Sequence, residues 1–210
     1  RSIILPIGTR SIPSPPLSAR SHWSYMGEKR VFLIRHAESE QNVATRAFES
    51  GDLRQLVTIA RLGFDAPLSP GGVAQLEEGT KLFAQQRFVE RNGVELVAHS
   101  PLDRAKRTAI ALFGSTSVPL VEVPFMYERT LSEYFNTAAF DRRFRQIEQW
   151  VAGRPEASIA LVAHGQVFKR AVGIHPENLG VIECTFTEGE GLKLVKYLGV
   201  LRESPPSQGA

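Results

Sequence analysis

The chain has 210 residues, 42% of them hydrophobic and 22% charged, one cysteine, and a formal net charge of +3. This length suits one domain with a sizeable core, the hydrophobic content excludes a largely disordered chain, and a single cysteine excludes an internal disulfide and a multi-cysteine zinc site. Residues 1–27 carry three arginines and no acid, so the rest of the chain is neutral and nucleic acid is not an expected partner.

The two ends of the chain differ in composition from the middle. Residues 1–29 are rich in Ser and Pro and lack periodic apolar spacing, which predicts a disordered or leader segment. An Arg- and Ser-rich leader without acids is typical of an organelle transit peptide, and upstream sequence before an initiator at Met26 is the alternative. We therefore expect the protein in the cytoplasm, or in an organelle if residues 1–29 are a transit peptide. The domain is predicted over residues 30–200, with a loose tail over 201–210.

Short apolar runs alternate with helical patterns between these ends. No apolar run reaches 18 residues, so no membrane partner is expected. Strands are predicted, in chain order, over residues 31–34, 95–98, 118–123, 158–163, 180–186 and 192–198. Helices are predicted from about residue 40, from 69 to 87, from 100 to 114, over 138–151, and through 168–172. Strands that alternate with helices predict an α/β fold, a three-layer α/β/α sandwich with a mostly parallel central sheet.

Two local signals refine these elements. Ser100 is predicted to be the N-cap of the third helix, because Pro101 at the first helical position and an acid at the third are favoured there. Pro119 lacks a backbone N–H, so the third strand is expected either at a sheet edge or to start at this residue. Cys184 lies in an apolar strand and is expected to be buried.

Polar side chains follow several of the predicted strands. The first strand runs into Arg35 and His36, the second into His99 and Ser100, and the fourth into His164. Open α/β sheets bind ligands at the carboxyl ends of their strands, so we expect His36, Arg104 and His164 to meet in one cleft.

These residue types suit phosphate chemistry. Arg35 and Arg104 offer rigid, charged donor forks for phosphate oxygens, and Arg104 would lie in the first turn of a helix, where an anion is favoured. One histidine can attack phosphorus and the other can donate to a phosphate oxygen. A carboxyl such as Glu128 can protonate the leaving alkoxide and then activate water, and none of this needs a metal or another cofactor.

Each residue also has a plain structural explanation. A lone Arg-His pair is more often a surface charge or a hydrogen-bonded core histidine than a catalytic site. Arg104 taken alone could be a solvated helix residue, and Glu128 taken alone could be a charged loop residue. The conjunction of these residues at strand ends favours a site over those explanations.

Four motifs resemble the histidine phosphatase superfamily, in its phosphoglycerate mutase-like branch. Residues 32–42 read FLIRHAESEQN and resemble the signature L-V-R-H-G-E-S-x-x-N (the first motif). Residues 65–75, DAPLSPGGVAQ, resemble D-x-P-L-[ST]-x-x-G-x-x-Q (the second motif). Residues 100–109, SPLDRAKRTA, resemble S-P-L-x-R-A-x-x-T-A (the third motif), and VAHG at 162–165 resembles V-x-H-G (the fourth motif). Together they cover roughly residues 30–187 in the order typical of that superfamily.

The resemblance implies a role for each matching residue. His36 would be the nucleophile that forms a phosphohistidine, and Arg35, Arg104 and His164 would complete the phosphate pocket. Asn42 would touch the same group, and Gln166, two residues after His164, is a further candidate for substrate binding. The stretch around Glu128 resembles the L-x-E of the superfamily and indicates Glu128 as the acid, with Glu133 as the competitor.

The sequence also departs from the superfamily pattern. Ala37 replaces the usual Gly, and the Gly-containing turn expected after Glu128 is missing. Only 35 residues separate Glu128 from His164, a region that in glycolytic mutases is longer and covers the cleft. The shorter region favours a hydrolase.

The resemblance thus implies a metal-independent phosphomonoester hydrolase, a histidine acid-type phosphatase that acts on a small phosphorylated metabolite. A phosphoglycerate mutase-type phosphotransferase and a non-catalytic relative that binds phosphorylated ligands are the alternatives. The substrate and the oligomeric state are not readable from the sequence.

Overall fold

The computed structural model describes residues 27–202. The predicted leader up to residue 26 and the tail from residue 203 lie outside the described residues. At both ends the packed domain extends past the predicted limits: the first strand begins at Glu28, and Leu201 is buried with its N–H donated to Leu179 O at 3.1 Å.

Six strands and eight helices alternate within the described residues. In chain order they are β1 (Glu28–Arg35), α1 (Glu40–Glu49), α2 (Gln55–Leu62), α3 (Pro70–Gln85), α4 (Phe88–Asn92), β2 (Leu96–His99), α5 (Asp103–Phe113), β3 (Leu120–Glu122), α6 (Leu131–Phe135), α7 (Thr137–Ala152), β4 (Ser158–Ala163), α8 (Gly165–Val172), β5 (Gly180–Thr187) and β6 (Gly191–Val200).

The strands form one sheet in the order β3-β2-β4-β1-β5-β6. The four strands from β3 to β1 are parallel, whereas β5 and β6 pair antiparallel at the other side. The third strand lies at an edge, one of the two placements expected from Pro119. The predicted α/β class with a mostly parallel central sheet is therefore confirmed.

Helices cover both faces of the sheet, because alternate strand residues point to opposite sides. Val31 and Leu33 of β1 belong to the core cluster under α7 and α8, and Phe32 and Ile34 belong to the cluster under α3 and α5. Helix α7 buries one face, which consists of residues at helical spacing: Phe140, Phe144, Ile147 and Val151. Three layers result, as predicted, and Cys184 is fully buried in β5.

Three of the helices, α2, α4 and α6, were not predicted. Most residues of α2 are apolar but none is buried, and this helix packs on α1 at the surface. Its apolar residues therefore lack the one-sided burial on which a helix prediction depends. Helix α4 is a short segment that follows Arg87, a residue in the left-handed region with φ 49°.

The predicted start of α5 is wrong by a few residues. The N-cap position is Leu102, not Ser100, and the first helical N–H is instead satisfied from outside, because Asp103 N donates to Asp65 Oδ1 at 2.8 Å. The Ser100 hydroxyl instead contacts His164 Nε2 at 2.7 Å. No helix within residues 27–202 combines the length and apolar character that crossing a membrane requires.

Candidate active site

The sheet order brings three polar residues into one row. Ser100, His164 and His36 each follow the carboxyl end of a strand, and their strands β2, β4 and β1 are neighbours. The His164 Nε2 atom lies 2.7 Å from Ser100 Oγ, and the ring centroids of His36 and His164 are 5.1 Å apart. The two histidines that the sequence predicts to meet therefore lie side by side, and both are buried.

The hydrogen bonds of His36 define its tautomer. Its Nδ1 lies 2.6 Å from Ala37 O, a pure acceptor, so Nδ1 carries the hydrogen. Arg104 Nε donates to His36 Nε2 at 3.3 Å, which requires a lone pair on Nε2. Burial, together with the charges of Arg104 and Arg35, lowers the pKa of His36 well below its ordinary value. The ring is thus neutral, with its free electron pair on Nε2.

Two guanidinium groups lie beside these rings. Arg104 is in the first turn of α5 and is buried; its Nη1 donates to Phe64 O at 3.1 Å and lies 3.8 Å from Asp65 Oδ1. Arg35 Nη1 donates to Pro176 O at 2.7 Å. These contacts hold both side chains in place at the ends of β1 and β2.

Two buried nitrogen atoms of the site have no hydrogen-bond partner among the described residues: Arg35 Nε and His164 Nδ1. Buried polar atoms are normally satisfied, so such atoms at the end of adjacent strands are positions that a bound ligand could satisfy. Ser100 Oγ accepts the N–H of Leu102 at 3.2 Å, and its hydroxyl hydrogen can therefore go to His164 Nε2. In that arrangement His164 Nδ1 is a donor.

Glu128 lies on the same side of the sheet. Its carboxylate accepts the backbone N–H of Arg129, at 2.8 Å, and that of Gln166 in the first turn of α8. Burial raises the pKa of Glu128, although these hydrogen bonds and the nearby charges of Arg104 and Arg35 oppose the shift. The carboxyl group is therefore held near both guanidinium groups.

Glu133, the competing acid, is committed to a structural ion pair. Its two oxygens accept hydrogen bonds from Arg143 Nε and Nη2, both at 2.7 Å, and one of them also accepts Thr130 N–H. Burial alone would raise the pKa of Glu133, but the hydrogen bonds from Arg143 and Thr130 outweigh burial and lower it.

Removing Arg143 should therefore destabilise the fold. Arg143→Met leaves the Glu133 carboxylate buried without its partner, and we expect a loss of about 3–5 kcal/mol in the free energy of unfolding. Urea unfolding at neutral pH measures it. A lowered pKa stabilises the fold fully at pH values above the ordinary pKa of a glutamate, and this stabilisation is lost as Glu133 takes up a proton at lower pH. The difference in unfolding free energy between wild type and Arg143→Met should therefore shrink as the pH falls. Arg142→Met, at the exposed neighbour on α7, is the control and should change stability by under about 0.5 kcal/mol.

Asn42 and Gln166 lie near the site, but they differ in the hydrogen bonds that they already make. Asn42 Oδ1 accepts the N–H of Ser39, in the capping box of α1, and the amide of Asn178 at 3.2 Å. Only its Nδ2 could donate to a phosphate. Gln166 is half-buried, and its backbone is engaged with Glu128.

The second motif holds the loop after His36. Ser69 Oγ donates to Glu38 Oε1 at 2.7 Å, and Glu38 N–H donates to Gln75 Oε1 at 3.2 Å. A Cβ on Gly72 would lie 1.9 Å from Glu38 O, so only glycine allows this approach. The third motif acts similarly, because Thr108 Oγ1 accepts the N–H of Ala37 at 3.1 Å. These residues hold the loop that carries His36 and Ala37 in position.

The segment before β5 closes the site, and the sequence interpretation missed it. Asn178 Nδ2 donates to His36 O at 2.9 Å. His175, to which the sequence assigns no role, lies against Gly165, where a Cβ would come within 2.2 Å of its Nε2. A glycine directly after His164 was the only signal for this contact. Between residues 27 and 202, no group of three or more His, Cys, Asp or Glu side chains is arranged to hold a metal ion.

The family model described as histidine phosphatase superfamily (branch 1) matches residues 31–137. Comparison with curated protein sequences gives no significant match.

Solved structures share the fold. The alpha-ribazole phosphatase from Shigella flexneri is 17% identical with a TM-score of 0.57, over 84% of this chain and 98% of that one. The native structure of mycobacterial glucosyl-3-phosphoglycerate phosphatase is 16% identical with a TM-score of 0.51, over 84% of this chain and 100% of that one. At these identities the likeness concerns the fold alone.

Proposed function

Because the chain belongs to branch 1 of the histidine phosphatase superfamily, we propose that it is a phosphomonoester hydrolase that acts on a small phosphorylated metabolite through a phosphohistidine, without a metal. The observation that carries this proposal is the pairing of an unprotonated His36 Nε2 with Arg104 Nε at 3.3 Å, beside the partnerless Arg35 Nε and His164 Nδ1. A dianionic phosphate would satisfy these donors.

In the first step His36 Nε2 attacks phosphorus and the bond from phosphorus to the ester oxygen breaks. Arg104 Nε releases Nε2 for this attack, because a phosphate oxygen is a better acceptor than a neutral imidazole. Arg35, Arg104 and His164 neutralise the phosphate oxygens. Glu128 enters as the neutral acid and gives its proton to the leaving alkoxide. Burial favours that neutral form, since it raises the pKa of Glu128.

In the second step the Glu128 carboxylate takes a proton from a water that attacks the phosphohistidine. The bond from phosphorus to Nε2 breaks, inorganic phosphate forms, and His36 returns to its starting tautomer. The Ala37 carbonyl supports both steps, because it holds the Nδ1 hydrogen throughout.

Glu128→Gln tests the acid. We expect kcat/KM for an alkyl phosphate to fall about 10²-fold, because Gln cannot protonate an alkoxide. For p-nitrophenyl phosphate, kcat/KM should change little, because nitrophenolate leaves unprotonated and kcat/KM reports only the first step. Because the pKa of Glu128 is raised, its protonated form persists to higher pH, and its ionisation should produce the basic limb of the wild-type pH profile of kcat/KM for the alkyl ester. That limb should be absent in Glu128→Gln.

Glu122→Gln is the matched control for this variant. This carboxylate is 47% exposed on β3, and its removal should leave both esters unaffected. Equal losses on alkyl and nitrophenyl esters in Glu128→Gln would contradict the acid role.

The proposed activity itself is tested by phosphate release from p-nitrophenyl phosphate with EDTA present. Release that persists in chelator supports the proposal, and release that vanishes overturns the metal-independent mechanism. Rapid isomerisation of 3-phosphoglycerate with negligible phosphate release would instead identify a mutase. A protein that binds phosphate but forms no phosphohistidine from any ester would be a non-catalytic relative.

A further inference from the structure

Three aromatic side chains lie near Arg104 and Glu128: Phe64, Tyr127 and Tyr134. The backbone oxygen of Phe64 accepts Arg104 Nη1 at 3.1 Å. The ring of Phe64 packs edge-to-face on Tyr127, with centroids 6.0 Å apart, and Tyr127 directly precedes Glu128. The contact between Phe64 and Tyr127 therefore connects the loop that binds Arg104 with the segment that carries Glu128.

These rings are held by cations but keep open surface. Arg143, which is buried, lies over the Tyr127 ring with 3.9 Å from its Cζ to the centroid. Arg129, the residue after Glu128, lies over the Tyr134 ring at 4.4 Å. Phe64 is nevertheless 41% exposed and Tyr134 50% exposed. Rigid, partly exposed rings are surfaces suited to binding an apolar group.

Helix α6 extends this apolar surface. Leu131, Tyr134 and Phe135 lie at positions i, i+3 and i+4 and are all exposed, Phe135 to 87%. The opposite side of the helix carries Glu133, which pairs with Arg143. The helix thus turns its apolar face to solvent while its acid is bound inside, an arrangement that internal packing does not explain.

Cations near these rings are bound within the protein: Arg143 pairs with Glu133, and Arg129 donates to Glu133 O at 2.8 Å. Arg46, in α1, pairs with Glu38, and Arg54 pairs with Asp52. Asp65, the residue after Phe64, is 46% exposed and adds a carboxylate to this side. A carboxylate or second phosphate held against Phe64 and Tyr127 would therefore meet aromatic carbon and the Asp65 carboxylate, while the arginines at the rings already have partners within the protein.

We propose that the substrate is a monoester with one phosphate, whose alcohol part is uncharged and aromatic or otherwise apolar and packs against Phe64 and Tyr127. This inference rests on the proposed function. In an in-line attack the ester oxygen leaves opposite His36 Nε2 and must reach Glu128 to gain its proton. The alcohol part attached to that oxygen then lies on the Glu128 side, where the rings are.

The experiment compares kcat/KM for four esters of aliphatic alcohols: 2-phenylethyl, ethyl and glycerol 1-phosphate, and 3-phosphoglycerate. All four release an alkoxide and need the same protonation, so differences report the alcohol part. We expect 2-phenylethyl phosphate to exceed each of the others at least about tenfold. Equal values, or a preference for 3-phosphoglycerate, overturn the inference.

Variants locate the preference. In Phe64→Ala the ratio of kcat/KM for the phenylethyl ester to that for the ethyl ester should fall about tenfold, while the backbone contact to Arg104 is kept. The ratio is internal to one protein, so partial misfolding does not change it. Arg61→Gln is the matched control, an exposed residue three positions away in α2, and it should leave the ratio unchanged.

The outcomes separate the two proposals. Loss of 3-phosphoglycerate turnover in Arg61→Gln would overturn the inference, because it would show that a cation binds the substrate. An unchanged ratio in Phe64→Ala would do the same. If no ester releases phosphate, the proposed function fails, whereas release without selectivity overturns only the apolar substrate.

Discussion

His36→Ala is expected to lower phosphate release from every phosphomonoester by at least about 10⁴-fold, because the variant lacks the atom that accepts phosphorus. Single-turnover assays with a labelled ester measure the effect directly: wild type should form an acid-labile phosphoenzyme, and the variant should form none. The expected loss exceeds that of the other variants, since only His36→Ala removes the atom proposed to attack phosphorus.

Two controls separate chemistry from folding in this experiment. The variant should still bind inorganic phosphate, because Arg35, Arg104 and His164 remain. His99→Gln alters the histidine at the end of the neighbouring strand β2, whose Nδ1 contacts Ser100 O at 2.9 Å, and should retain most activity. Label on His36→Ala, or turnover close to wild type, would rule out His36 as the nucleophile.

Arg104→Lys is expected to lower kcat/KM about 10³-fold, the size of effect seen when a donor to transition-state charge is lost. One guanidinium here serves His36 Nε2 through Nε, and Phe64 O and Asp65 through Nη1. A lysine ammonium keeps the charge but cannot present donors in this fork geometry. Arg104→Lys should therefore lose most of its kcat/KM even though lysine keeps the positive charge.

Arg107→Lys is the matched control, because Arg107 lies on the same helix, is 56% exposed and pairs with Asp103 at the surface. Its kcat/KM should stay within about twofold of wild type, in line with the small value of an exposed ion pair. Phosphate affinity measured by calorimetry should fall in Arg104→Lys and not in Arg107→Lys. Comparable activity in both variants would contradict the phosphate role of Arg104.

Much of the fold was predictable because its signals are local. Strand β4 is a continuous apolar run and is buried throughout, and the four apolar positions of α7 at helical spacing are all buried. Arg35, His36 and His164 of the site also follow predicted strands directly. Helix α2 was not predictable in the same way, since none of its residues is buried and its apolar residues point to no core.

Other features depend on partners that are distant in sequence. Ser100 has the sequence context of an N-cap, yet it contacts His164, 64 residues away. Glu133 is a candidate acid from the sequence, and the ion pair in which Arg143 binds both its oxygens has no signal there. The aromatic contact between Phe64 and Tyr127 joins two loops that carry no shared sequence signal.

The sequence by itself determined the alternation of strands and helices and the kind of side chain that follows each strand. Tertiary structure decided which strands are neighbours: β4 enters between β2 and β1, so His164 lies between Ser100 and His36. The apolar pattern of a strand indicates that the strand is buried, but it does not indicate which strand lies next to it. Backbone hydrogen bonds can form between any two strands whatever their side chains, so the strand order depends on how the helical connections pack across the whole sheet.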